Sequence, residues 1–566
     1  MNQSKYPSLV CLFLLLFSSQ LWAAQKPAKA AIASAHYLAT EAGFEVLDKG
    51  GNAFDAAVAV SAALAVVEPS SSGLGGGAFW LLHRNEDNKR VMIDGREEAP
   101  AAAHKDMYLD EAGEVNRDLA LNGPLAAGIP GHVAGMVHIA TKYGRLPLQD
   151  SLAPAIRLAS DGFAVDEKYI RLLKPVLKQM RRWPAGSSIF LSNGEIPALG
   201  ALIKQPDVAI VLKQIAATGK QDFYFGETAR RMVAGVRAAG GIWTMDDLAA
   251  YKVVEREPVE FKYQDYSLIT ASPPSSGGVA IAEILNILEP YKIALRSPAQ
   301  RVHLIVEAMR RAYRDRSIYL GDPDFVDVPV ALLTSQDYAA GLRASIRTDK
   351  ATVSAALAGL EDQPKGEHTT HFSVLDMDGN IVSATLTVNT LYGANFVAPG
   401  TGFLLNNEMD DFSAKPGAPN AYGLIGFAAN AIEPGKRPLS SMSPTIVFGK
   451  DRVAILGTPG GSRIITMVLL GILDFFEGGG PQSWVSLPRY HHQYLPDRIF
   501  AEPEAFTPQL QSQLQALGHE VQVLNRQWGN MNAVMWDRRT GQVEAASDPR
   551  TPSGRAIVKG TSISTN

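Results

Sequence analysis

A two-residue alternation beginning at Thr369 constrains the fold of this chain more than any other feature. Thr369-Thr370-His371-Phe372-Ser373-Val374-Leu375-Asp376 alternates polar with mostly apolar residues. Met377-Asp378-Gly379 supplies a turn, and residues 380–389 alternate again, which predicts a β-hairpin. A three-residue loop with Gly379 in the left-handed region places Thr387 opposite Thr369. A two-residue Asp378-Gly379 turn places it opposite Thr370, so the pattern leaves two registers open. Residues 350–368, just upstream, are small, polar and weakly periodic, with Pro364 and Gly366 near their end. They read as a flexible linker or, more plainly, a surface loop.

The rest of the chain must bury a large core. At 566 residues it is long enough for three or four domain-sized units. With 46% hydrophobic and 19% charged residues it is globular in composition, which excludes collagenous, disordered and multi-span membrane classes. Lysine and arginine number 53 against 57 aspartate and glutamate, a net charge of −4 that offers no footprint for nucleic acid. The single cysteine, Cys11, lies in the continuous apolar run at residues 9–17, with Lys5 before it and Ala23-Ala24 after it. This is the form of a secretory signal peptide over residues 1–24, too short for a comfortable membrane span. A retained N-terminal anchor is the alternative. The expectation is a periplasmic protein with no stable membrane insertion and, once processed, no disulfides.

Asn52 reads as the N-cap of a helix over residues 53–67 with Phe54, Ala57, Val58, Ser61, Leu64 and Ala65 on one face, ended by Glu68-Pro69. A glycine-rich turn at residues 73–77 leads into a strand over residues 78–82. Helical patterns follow, among them residues 144–162 and 299–319, without internal repeats or heptads. Gly73, Gly75 and Ala78 satisfy a dinucleotide-binding pattern formally. The order is helix, turn, strand, the reverse of what that site needs. His491-His492 would point apart on a strand and have no accompanying cysteine or paired carboxylate, so a structural role is expected and no metal or organic cofactor is implied.

A hydroxyl residue at the head of a strand, directly after a linker, has a chemical use. Cutting the bond between His368 and Thr369 gives Thr369 a free α-amine beside its own hydroxyl, so one residue carries nucleophile and base. An ordinary strand threonine is the alternative, and only the rest of the sequence decides between them.

From about residue 30 to 555 the chain resembles the γ-glutamyltransferases (γ-glutamyltranspeptidases, glutathione hydrolases), self-cleaving N-terminal-nucleophile hydrolases. The resemblance rests on Gly50-Gly51-Asn52-Ala53-Phe54-Asp55-Ala56-Ala57, with Phe54 where valine is common, and on Asp94-Gly95-Arg96-Glu97. It continues in Pro273-Pro274-Ser275-Ser276-Gly277-Gly278 and Leu320-Gly321-Asp322-Pro323. It is densest in Thr369-Thr370-His371, Leu404-Leu405-Asn406-Asn407-Glu408-Met409-Asp410-Asp411-Phe412, Pro438-Leu439-Ser440-Ser441-Met442-Ser443-Pro444 and Pro459-Gly460-Gly461-Ser462-Arg463.

The resemblance implies an α+β fold, a four-layer αββα sandwich of two intertwined subunits made by one self-cleavage at His368–Thr369. The large subunit would span residues 25–368 and the small one 369–566, together a heterodimer. Thr369 would attack the γ-amide of glutathione or another γ-glutamyl compound and pass the glutamyl group to water or to an amino acid or dipeptide. Thr387 would hydrogen-bond Thr369, and the Gly460 and Gly461 N–H groups would form the oxyanion hole. Arg96, with Ser440 and Ser441, would hold the donor's α-carboxylate, and Asp411, Glu408 and Asn389 its α-ammonium. Residues 415–438 resemble a lid, with Tyr422 closing over the donor or, alternatively, an Ω-loop at the surface. Asp411 favours γ-glutamyl donors over the glutaryl groups taken by cephalosporin acylases. A glutaryl acylase and a silent γ-glutamyl-binding protein remain the competing readings.

Overall fold

A computed structural model describes residues 26–357 and 369–560. The expected signal peptide, residues 358–368 of the linker with His368, and residues 561–566 lie outside the described residues. No described helix is long and apolar enough to cross a membrane.

Two sheets carry the fold. The seven-stranded sheet runs Arg555–Lys559, Ala30–Ser34, Thr370–Leu375, Ile381–Thr387, Gly77–Arg84, Lys89–Gly95, Val254–Arg256. The six-stranded sheet runs Val543–Ser547, Asn532–Asp537, Arg452–Gly457, Thr445–Phe448, Tyr266–Thr270, Val259–Tyr263. Both sheets combine strands from before and after residue 368, so cutting the chain there would leave two pieces sharing one core.

Alternation sorts the side chains into layers. Ile32, Trp80, Leu82, Phe372, Val374, Val382 and Leu386 face the helices Tyr37–Asp48, Ala53–Val67, His132–Tyr143 and Leu148–Asp161. Ala31, Ala33, Phe79, Leu81, Leu375 and Ile381 face the other sheet, whose far side is covered by Gly277–Leu288, Pro298–Tyr319 and Ile464–Phe476. The order is helix, sheet, sheet, helix, the four-layer α+β sandwich.

The helix over Ala53–Val67 has the expected N-cap, closed as a capping box between Asn52 and Asp55. The one-faced reading of it is corrected: every residue from Ala53 to Val67 is buried. The helix is wrapped by sheet and by neighbouring helices, and alanine and valine all round its circumference let them approach.

The linker reading is also corrected in part. Ala351 N donates to Leu517 O at 2.7 Å, Thr352 bonds Glu307 through N at 2.9 Å and through Oγ1 at 2.6 Å, and Ser354 N donates to Asp497 at 2.6 Å. Residues 351–357 are therefore pinned, because their short polar side chains and amides satisfy carboxylates that are partly or fully buried.

The glycine run at residues 73–77 has a packing reason. A Cβ on Gly75 would overlap the Leu404 carbonyl, and one on Gly76 the carbonyl of Thr387. The run lets the chain pass directly behind Thr387 and the Leu404–Asn407 segment. His491 and His492 are buried, each with protein partners: Thr466 and Gln493 for the first, Tyr494 N and Asp497 for the second.

Candidate active site

The hairpin takes the three-residue loop. Asp376 N donates to Asn380 O, Gly379 has φ +86°, and Leu386 pairs with Thr370. Continuing that register sets Thr387 opposite Thr369, and both fall on the face that meets the second sheet. That face is polar for a sheet interior. His371 Nδ1 meets Thr385 Oγ1 at 2.9 Å, its Nε2 meets Ser373 Oγ at 3.2 Å, and Ser373 Oγ donates to Asn532 O at 3.0 Å. Burial pushes His371 down to about 3, so the ring is neutral. A Cβ on Gly457 would overlap the His371 ring, which is why the second sheet presents a glycine there.

Just beyond Gly457 the chain turns through Pro459-Gly460-Gly461. Gly460 adopts φ +146° and Gly461 φ +55°, backbone that favours glycine. Gly460 N–H donates to Thr369 Oγ1 at 3.1 Å. A Cβ on Gly461 would overlap the Tyr422 ring.

Thr369 stands between two spaces. One is a small closed cavity lined by Arg96, Thr387, Asn389, Glu408, Asp411, Tyr422, Ser440, Ser441, Met442 and Gly461. The other is an open cleft of about 420 Å³ lined by Glu68, Lys168, Arg171, Gly460, Arg526 and Trp528, among others. All eleven site residues expected from the sequence therefore come together, ten on the closed cavity and Gly460 on the cleft side of Thr369.

Several expected contacts differ in detail. The Thr387–Thr369 hydrogen bond is not made; Thr387 Oγ1 instead accepts from Asn389 N at 2.7 Å and pins residue 389, whose φ is +72°. Thr387 thus shapes the cavity wall. Arg96 is not free to grip an anion with both arms: Nη2 donates to Asp411 Oδ2 at 2.6 Å, Nη1 lies 2.9 Å from Glu408 Oε1 and 3.4 Å from Glu97 Oε2, and Nε donates to Pro438 O at 3.1 Å. The groups expected to meet the donor's two charges are paired with one another.

Other acceptors are left open. Asn389 Nδ2 donates to Asn407 O at 2.9 Å, leaving Oδ1 buried without a partner, and Glu408, whose Oε1 lies 2.9 Å from Arg96 Nη1, has its Oε2 buried. Burial pushes Glu408 well above the usual carboxylate range and Glu97 up to about 8, against the pull of Arg96 in both cases. Burial also pulls Arg96 down, but Glu408, Glu97 and Asp411 together hold it above its ordinary value.

The lid segment forms the roof. Asn420 Nδ2 donates to Asp411 Oδ1 at 3.1 Å, Ala421 N donates to Asp410 Oδ2 at 2.8 Å, and Tyr422 Oη donates to Asn389 O at 2.7 Å. Tyr422 is buried over the cavity, so it is no part of a surface loop.

The serine pair is held from behind. Ser440 N donates to Pro274 O, and Ser276 N to Ser440 O, each at 2.8 Å. A Cβ on Gly277 would overlap Ser443 Oγ. Arg437 bonds Asp94 at 2.7 Å and its amide donates to Asp322 Oδ2 at 2.8 Å, which ties the serine loop to the strand end that carries Arg96. Two groups escaped the sequence reading. Glu97 was inside a motif but had no assigned role. Arg316 donates from Nη2 to Ser441 Oγ at 3.3 Å, and nothing in its sequence context sets it apart from the other charged residues of its helix, Glu307, Arg310, Arg311 and Asp315 among them.

A family model described as Gamma-glutamyltranspeptidase matches residues 39–558. A glutathione hydrolase proenzyme of Pseudomonas sp. (strain A14) is 46% identical over 494 residues, 86% of each chain. One from Escherichia coli (strain K12) is 43% identical over 526 residues, 92% of this chain and 90% of its own. Among solved structures, cephalosporin acylase from Bacillus halodurans has a TM-score of 0.83 at 27% identity, over 98% of both chains. The hairpin, the glycine turn, the serine loop and the Arg96 cluster all lie within the matched stretch, and the chain belongs to the gamma-glutamyltranspeptidase family.

Proposed function

We propose that this enzyme is a periplasmic γ-glutamyltransferase and glutathione hydrolase that matures by cutting itself at His368–Thr369. In the precursor Thr369 Oγ attacks the carbonyl of residue 368, moving the acyl group from nitrogen to oxygen. That shift breaks the C–N bond and frees the Thr369 α-amine; water then hydrolyses the ester, releasing residue 368 as a carboxylate and restoring the Thr369 hydroxyl. In turnover the same oxygen attacks the γ-carbonyl of a γ-glutamyl donor. The hydroxyl proton passes to the α-amine and on to the leaving nitrogen as the C–N bond breaks. The γ-glutamyl ester is released to water or to the amine of an amino acid or dipeptide.

The observation that carries this reading is the position of Thr369 Oγ1, 3.1 Å from the Gly460 amide and on the border between a closed, charged cavity and an open cleft. A γ-glutamyl donor has a compact zwitterionic end, which suits the cavity, and a variable leaving group, which suits the cleft. The Gly460 and Gly461 amides are the donors for the tetrahedral oxyanion. Asp411 and Glu408 on the cavity wall favour an ammonium-bearing donor over a glutaryl one.

Denaturing electrophoresis with intact mass, beside turnover of a γ-glutamyl anilide, tests the reading. The wild type gives two fragments meeting at His368–Thr369 and is active, whereas Thr369→Ala stays whole and inactive. A wild type that is active while uncut overturns the mechanism, and one that is uncut and inactive favours a binding protein.

A further inference from the structure

The buried arginines of this protein keep close company with carboxylates. Arg96 meets Asp411 and Glu408, Arg310 meets Asp497, Arg311 meets Glu307, Arg437 meets Asp94, and Arg489 meets Asp548. Arg316 is different. It is 5% exposed on the helix Pro298–Tyr319, and its described hydrogen bonds go to two serines: Nε donates to Ser276 Oγ at 3.0 Å and Nη2 to Ser441 Oγ at 3.3 Å. Among the described residues no carboxylate is in contact with Arg316; Asp411 acts on it only across a longer distance, opposed by Arg96, and burial pulls Arg316 down to about 10.

Hydrogen-bond direction shows what the arrangement accomplishes. A guanidinium only donates, so Ser441 Oγ accepts from Arg316 and must send its own hydrogen elsewhere. Ser441 lines the closed cavity. Ser440 Oγ likewise accepts from Met442 N at 3.0 Å, which leaves its hydrogen free as well. Ser276 Oγ accepts from Arg316 and donates to Ser440 O at 2.8 Å, so the same arginine holds the serine loop at two points. Each hydroxyl thus has one acceptor position filled and its hydrogen free to donate, as an anion requires. Arg96 is occupied, its Nη2 bonded to Asp411 and its Nη1 between Glu408 and Glu97, so its guanidinium is not free for a further bidentate contact.

We propose that Arg316 is a positioning residue for the donor's α-carboxylate: it orients the Ser441 hydroxyl toward the cavity, holds the serine loop through Ser276, and gains in the substrate carboxylate a close anionic neighbour that the described residues do not supply. The inference rests on the γ-glutamyl activity proposed above and names the group that makes the carboxylate end of that site selective.

Competitive inhibition separates this role from a merely structural one. L-Glutamate carries both α-groups, glutarate only the carboxylate, and 4-aminobutyrate only the amine. In mature Arg316→Gln, Ki for L-glutamate and glutarate is expected to rise roughly 10- to 100-fold while Ki for 4-aminobutyrate holds within about twofold. KM for a γ-glutamyl anilide rises with them and kcat changes little. Arg316→Lys, which keeps the charge, recovers part of the loss. Equal weakening of all three inhibitors, or an unchanged Ki for L-glutamate, overturns the proposal. Electrophoresis shows whether each variant still processes itself. If Arg316→Gln does not mature, Ser441→Ala gives the same comparison, since it must produce the same carboxylate-selective pattern for the proposal to stand. A wild type that fails to turn over any γ-glutamyl anilide removes the proposed function itself and is distinct from either result.

Discussion

Arg96 and Asp411 are joined across the donor cavity, Nη2 to Oδ2 at 2.6 Å, with Asp411 also held by Asn420 of the lid. Each is the natural partner of one charge on an α-amino acid. A zwitterionic donor can therefore be admitted by exchanging charge for charge, and the buried site is never left with a net uncompensated group. A donor with one charge lacks that exchange.

Replacing Asp411 should expose this. In Asp411→Asn the ammonium loses an ionised acceptor while Arg96 keeps Glu408 and Glu97. The ratio of kcat/KM for γ-glutamyl over glutaryl anilide should fall roughly tenfold or more, chiefly through KM on the γ-glutamyl side. An unchanged ratio would show that Asp411 does not read the ammonium.

Gly461 faces a double constraint, a φ of +55° and the Tyr422 ring where a Cβ would stand. Gly461→Ala should lower kcat/KM roughly 100-fold by moving both the oxyanion donor and the lid. Because the ring is already displaced in that variant, adding Tyr422→Ala should cost little more. Two losses that multiply independently would mean that the glycine and the lid act separately.

The Tyr422 hydroxyl contributes a smaller amount. It donates to Asn389 O at 2.7 Å and so fastens the lid to the residue whose Oδ1 faces the cavity unpaired. Tyr422→Phe keeps the ring on Gly461 and loses one buried hydrogen bond, about 1 kcal/mol. The expected result is a several-fold rise in KM for γ-glutamyl anilide with kcat retained, and steady-state kinetics on the two proteins checks it.

The sequence made the site legible where function is written in local order. The alternation around Met377-Asp378-Gly379 showed the hairpin and narrowed Thr387 to two registers, and Asn52 with Asp55 showed the helix cap. It was silent where partners come from distant segments. Nothing around Arg316 announces Ser441, 125 residues away. Nothing in residues 351–357 shows that Glu307 and Asp497 wait for their hydroxyls and amides. The helix Ala53–Val67 looked one-faced because periodicity reports apolar spacing, whereas small residues permit contact on every side. The motif residues were found, but the resting pairing of Arg96 with the acids was not, since a sequence gives charges without the distances that let them neutralise one another.

Glu97 provides a test by pH. Its Oε1 has no hydrogen-bond partner, Arg96 is 3.4 Å from its Oε2, and burial pushes it up to about 8 from an ordinary value of 4.5. Below about pH 4.5 the folded and unfolded chains both hold this proton. Between about 4.5 and about 8 the folded chain keeps it while the unfolded chain has released it. Folded protein then binds more protons than unfolded, so stability falls as pH rises through this window and falls no further from this group above it. Glu98 and Asp410, each pushed up to about 7 by burial, and Glu408 act in the same direction and remain in any single variant. The informative quantity is thus the difference between Glu97→Gln and the wild type. The amide preserves shape and does not titrate, so Tm of the variant should decline less steeply across this window and gain on the wild type toward its upper end. Calorimetric Tm at a series of pH values measures it, and parallel curves would mean that Glu97 folds with its charge already compensated.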